Sequence, residues 1–131
     1  MMMTMTMTLL IAATALQTLP SPALERWEVT FTDSRGESAV DPESISRSGD
    51  EVTANVRTRL HRAPSTGQPV GGVMRYVFNC RTSSARLERA DLYDGAGAFV
   101  TSHEERLEEQ TVRPGTPVST TMERVCRADA N

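Results

Sequence analysis

Residues 73–81 read VMRYVFNCR and residues 116–127 read TPVSTTMERVCR, and these two stretches decide the fold. In the first, Met74, Tyr76, Phe78 and Cys80 share one face while Val73, Arg75, Val77 and Asn79 share the other, the period of two that marks a strand. In the second the period changes. Thr116 is a good N-cap, and Pro117 at the first helical position loses no hydrogen bond. Val118, Met122, Val125 and Cys126 then fall on one apolar stripe of a helix. Each stretch carries a cysteine on its apolar face, and the chain has only two. A helix laid across a β-layer and tied to it through Cys80 and Cys126 satisfies both patterns.

Working outward, Trp27, Val29 and Phe31 alternate with polar residues and predict a first strand, with Asp33-Ser34-Arg35-Gly36 as its turn. A short return strand over 37–41 leads to Asp41-Pro42-Glu43-Ser44, a turn or single helical turn, because proline presets φ there. Ile45 points back to the core before the turn Ser48-Gly49-Asp50. Val52, Ala54, Val56, Thr58 and Leu60 then alternate inward along the clearest long strand. His61 to Gly72 is dense in Pro and Gly and reads as a surface loop. Leu87 to Tyr93 is a further strand, returning over 99–102 through the hairpin at Asp94-Gly95. Consecutive strands with short connections pair antiparallel. The fold class is therefore α+β, an antiparallel meander of about six strands with one C-terminal helix on one face.

The chain has 131 residues and a net charge of -3, room for a single ordinary domain. Residues 1–23 carry no charged side chain. Their apolar run from Leu9 to Leu19 is short for a bilayer span, and Pro20 and Pro22 end it. Ser21 and Ala23 place small side chains before a cut at Leu24. The segment reads as a signal peptide, leaving a domain over 24–131 with no stable membrane span after cleavage. An exported domain lies outside the reducing cytoplasm, where an even pair of cysteines reads as a disulfide; two buried thiols are the alternative.

Several chemistries are disfavoured. Weak acidity without a basic run argues against nucleic acid. Nucleophilic catalysis wants a histidine beside the nucleophile, and His61 and His103 both read as exposed polar residues. Structural zinc needs four clustered ligands, which two distant histidines and a bridged cysteine pair do not supply. Glu104, Glu105, Glu108 and Glu109 fit a solvated face better than a calcium loop. No enzyme activity, cofactor or metal is expected. The one polar constellation is Arg57, Arg59 and Arg75, which point outward from adjacent strands and form a candidate cationic binding patch, with Glu28 and Glu88 as candidate neutralising groups. All 14 basic residues are arginine, so composition alone also accounts for each.

Trp27-Glu28-Val29, then Val40-Asp41-Pro42-Glu43-Ser44-Ile45-Ser46-Arg47-Ser48-Gly49, resembles the opening of the surface-adhesin protein E-like family. Tyr76-Val77-Phe78-Asn79-Cys80 is similar to that family's apolar strand, and Pro114-Gly115-Thr116 through Val125-Cys126 to its terminus. The resemblance spans residues 26–127. It implies a small exported Gram-negative domain, periplasmic or at the cell surface, binding a protein partner of the host matrix or the envelope. It implies too that dimers occur in this architecture. The expected function is a non-enzymatic, adhesin-like protein-binding module. The alternative is a small-ligand binder holding haem, through Met74, Met122 or a histidine, or a lipid between helix and sheet.

Overall fold

The computed structural model describes residues 26–62, 69–104 and 108–127. The expected leader, 1–23, lies outside them. Eight strands join in one antiparallel sheet. They are β1 (Glu28–Thr32), β2 (Gly36–Val40), β3 (Ser46–Ser48), β4 (Glu51–Leu60), β5 (Gly71–Asn79), β6 (Ser84–Tyr93), β7 (Phe99–His103) and β8 (Gln110–Thr111). A single 3-10 turn spans Pro42–Ser44, and the helix α1 spans Pro117–Arg127. The sheet runs in the order β1-β2-β4-β5-β6-β7, with β3 added beside β4 and β8 beside β6.

The register of β4 on β5 sorts the side chains, because directly opposed residues project to the same side. Val52 faces Phe78 and Ala54 faces Tyr76, while Asn55 faces Arg75 and Arg57 faces Val73. The first pairs lie under α1. There Val40, Val52, Ala54, Val56, Phe78, Ala85 and Val125 form the main core, with Tyr76, Met122, Cys80 and Cys126 packed against it. The other side holds a smaller cluster of Trp27, Ala39, Val73 and Tyr93. The helix thus leaves one broad sheet face uncovered.

Both expected features of α1 are present. Ser119 N–H donates to Thr116 Oγ1 at 3.2 Å, and Thr116 N–H donates to Ser119 Oγ at 3.1 Å, a reciprocal cap. Such a cap contributes ~1 kcal/mol. The helix packs over β1, β2 and β4. Cys126 in its last turn bonds to Cys80 just beyond β5, with Cα atoms 5.7 Å apart.

Four expectations need correction. Val29 does not enter the core but is 50% exposed on the helix-free side, opposite Ala39, while a bulge between Val29 and Phe31 carries Phe31 to the helix side. The extra residue, Thr30, turns under the helix and shares a 2.8 Å hydrogen bond with the buried Thr121. Leu60, expected inward, is 46% exposed where β4 runs past the helix. Gly71 and Gly72, read as part of the loop, begin β5 instead. A Cβ on Gly71 would meet the Thr58 carbonyl oxygen at 2.2 Å, so glycine allows the two backbones to meet here. Finally, β6 begins at Ser84 and not at Leu87, and two short strands, β3 and β8, extend the meander.

β2 and β3 lie end to end along one edge of β4, pairing with its second and first halves. The link between them is fixed by Asp41, only 3% exposed. Its carboxylate accepts from Glu43 N–H at 3.1 Å and pairs with Arg26 at 3.0 Å. β7 and β8 stand in the same relation to the outer edge of β6.

Candidate functional site

Alternation along β4 and β5 puts Arg57, Arg59 and Arg75 on the helix-free face, as their positions in the sequence suggest. Arg75 stands diagonally across from Arg57, since Arg57 opposes Val73 and Asn55 opposes Arg75. Diagonal neighbours are ~7–8 Å apart, within reach of long side chains. The three are not equivalent. Arg57 is held in place: Nη2 donates to Glu37 Oε1 at 2.9 Å, and the guanidinium lies 5.6 Å over the Trp27 ring. Only 13% of its side chain is exposed, so it builds the face more than it presents a charge. Burial is the main influence lowering its pKa, with Arg59 adding repulsion.

Arg59 is exposed and Arg75 half-buried, and neither forms an ion pair among the described residues. The rest of the face is balanced. Arg86 bonds Glu51 at 2.9 Å and lies 3.9 Å from Glu88. Arg89, directly opposite Arg75, pairs with Asp91 at 3.3 Å and Glu104 at 3.5 Å. The expected neutralisers are therefore replaced. Glu28 turns to the helix side and pairs with Arg124 at 2.5 Å, while Glu88 serves Arg86. Glu37 is the carboxylate that meets the patch.

A second feature lies on the opposite side and has no signature in the sequence. Beneath the first turn of α1, where the ends of β2, β4, β5 and β6 meet, is an open cavity of about 580 Å³. Phe31, Val56, Leu60, Tyr76, Phe78 and Val118 form much of its wall. The Tyr76 hydroxyl donates to the Met74 thioether, at 3.8 Å, and burial raises its pKa.

The residues weighed for catalysis stay apart. His61 sets a ring nitrogen 3.0 Å from the Asp33 carbonyl, and His103 is exposed on β7. No cysteine is free among the described residues, and no group of three or more His, Cys, Asp or Glu is placed there to hold a metal ion. Of the four glutamates, Glu104 pairs with Arg89, Glu109 accepts from Ser84 Oγ at 2.7 Å, Glu108 is exposed, and Glu105 lies outside the described residues. No helix among the described residues is long and apolar enough to cross a membrane.

The sequence pattern of the family described as Surface-adhesin protein E matches residues 27–127, from the buried indole of Trp27 to the end of the bridged helix. The chain belongs to the surface-adhesin protein E family. The solved structures agree on the fold. Crystal form II of Haemophilus influenzae protein E superposes with a TM-score of 0.61 at 16% identity, covering 82% of this chain and 91% of that one. A second structure of the same protein gives a TM-score of 0.55, also at 16% identity, covering 83% of this chain and 89% of the other. Protein E from non-typeable Haemophilus influenzae gives 0.54 at 16% identity, covering 82% and 81%. No curated protein matches in sequence. Family membership makes this an exported, adhesin-like surface protein and points away from an enzyme.

Proposed function

We propose that this family member is a non-enzymatic protein-binding module whose helix-free sheet face, centred on Arg59 and Arg75, meets an acidic surface on a matrix or envelope protein. The observation that carries this is local charge balance. Arg57, Arg86 and Arg89 each have a carboxylate within 4 Å, whereas Arg59 and Arg75 have none among the described residues. A guanidinium kept by a fold but not matched within it is available to a carboxylate brought by a partner, and its planar fork favours bidentate contact. Area is not limiting. A standard interface takes ~800 Å² per partner, and a layer of six strands spaced at ~4.8 Å is wide enough to provide it. Export places the module in the periplasm or at the cell surface, where such partners occur.

The test is a photo-cross-linking residue in place of Thr53, which shares this face with Asn55 and Arg57. Irradiated in the cells that make the protein, it captures one defined partner. Arg59→Glu combined with Arg75→Glu lowers that capture about tenfold, as reversal of interfacial charges does. Capture that is unchanged in the double variant, or that occurs only from a probe at Glu123 on the helix side, overturns the assignment.

A further inference from the structure

The cavity under α1 opens where two strands carry no side chain on the helix side. Leu60 faces Gly36 between β4 and β2, and Thr58 faces Gly72 between β4 and β5. A Cβ on Gly72 would lie 2.7 Å from the Asp91 carbonyl oxygen and 2.8 Å from a Leu92 methyl carbon, so the register keeps that position bare. The polar part of the wall is hydroxylic. Ser38 lies directly opposite Thr58, and both line the cavity with Tyr76. Neither the Ser38 nor the Thr58 hydroxyl forms a hydrogen bond among the described residues. The Tyr76 hydroxyl donates to a thioether, a weak acceptor that an oxygen replaces with gain. The charges of the wall cancel. Asp33 and Glu37 line it together with Arg35 and Arg59, two of each sign. Glu37 and Arg59 oppose each other on the helix-free side, which leaves Asp33 and Arg35, again one of each. The first turn of α1 offers no bare anion site, since Pro117 has no N–H and that of Ser119 is taken by Thr116.

We infer that this cavity binds an uncharged single-chain amphiphile, whose alkyl tail fills the apolar volume and whose hydroxyl or ester oxygen meets Ser38, Thr58 and Tyr76. The space of about 580 Å³ falls within the range of ~300–1,000 Å³ typical of small-ligand sites, which are mostly apolar with a few placed hydroxyls. Each methylene moved into it from water raises affinity about fourfold. A charged head of either sign gains no net attraction from balanced charges and loses its hydration against neutral hydroxyls. A tail without an oxygen leaves the Ser38 and Thr58 hydroxyls without a partner. The site lies on the opposite side of the sheet from Arg75, so either surface is occupied without the other.

The experiment uses the bridged chain and the uncharged fluorophore N-phenyl-1-naphthylamine, displaced in turn by decanol, decanoate and decyltrimethylammonium, which differ chiefly in the charge of the head. Saturable one-to-one binding is expected, with decanol displacing the probe at about tenfold lower concentration than either ion. Thr58→Val with Tyr76→Phe, which keeps the side-chain outlines and removes two hydroxyls, raises the decanol midpoint about fivefold and leaves binding of the probe itself unchanged. Val118→Trp, which fills the cavity, removes both. The inference is overturned by the absence of saturable binding, by a charged amphiphile that displaces the probe as well as decanol does, or by decanol displacement that ignores the loss of the two hydroxyls. The Thr58 and Tyr76 variant decides the matter even if Val118→Trp does not fold.

Discussion

Replacing Cys80 and Cys126 together by serine lowers the free energy of unfolding by roughly 4 kcal/mol, read from urea or thermal unfolding under identical conditions. The bond joins residues 46 apart, and releasing it frees that loop in the unfolded chain. Domains of this size hold ~5–15 kcal/mol in all, so the loss is a large fraction of the total. The native state changes too, because the bond fixes the last turn of α1 to the end of β5. Without it the helix keeps Val125 in the core, the Arg124–Glu28 pair and the Thr121–Thr30 hydrogen bond. Amide exchange then rises first in the last turn of α1. A double-serine protein as stable as the parent would show that packing alone fixes the helix.

Phe78→Ala lowers stability by about 3–5 kcal/mol, measured by the same unfolding experiment. Phe78 is fully buried, faces Val52 across the central ladder and stacks on Tyr76 with ring centroids 5.5 Å apart. Its removal joins a new void to the cavity already under α1, so the surroundings have little to collapse with. That places the expected cost in the upper part of the range. A loss below ~1 kcal/mol would mean that α1 settles into the gap, and that the neighbouring cavity is not rigid. Phe78→Leu, which keeps most of the volume, is the mild companion.

What could be read from the sequence follows from where one interaction dominates. Val52, Ala54 and Val56 alternate because one side of β4 is roofed by a helix and the other is not, and that contrast is printed directly in residue type. Cys126 could be placed because a helical stripe and a strand face each ended in sulfur. Thr116 was legible as a cap because capping is local. Tertiary effects were less so. Val29 looks like its neighbours Trp27 and Phe31, and only the bulge against β2 parts them, sending Phe31 to the helix side and leaving Val29 on the open one. β3 and β8 are too short to have a period. Thr121 is polar and still buried, since its partner Thr30 lies 91 positions away and no local rule connects them.

The candidate sites divide the same way. Arg57, Arg59 and Arg75 could be placed on one side from strand alternation. That Arg57 would be taken by Glu37 and Trp27 depended on the β1-β2-β4 order, which alternation does not reveal. The cavity is a property of what the side chains fail to fill, and no single residue advertises it.

The position of Trp27 has a practical consequence. It is the only tryptophan in the chain, and it lies beneath Arg57, across the sheet from the helix. Its emission band therefore responds to whatever docks over that guanidinium. One native fluorophore thus reports occupancy of that face by colour alone, with no label attached.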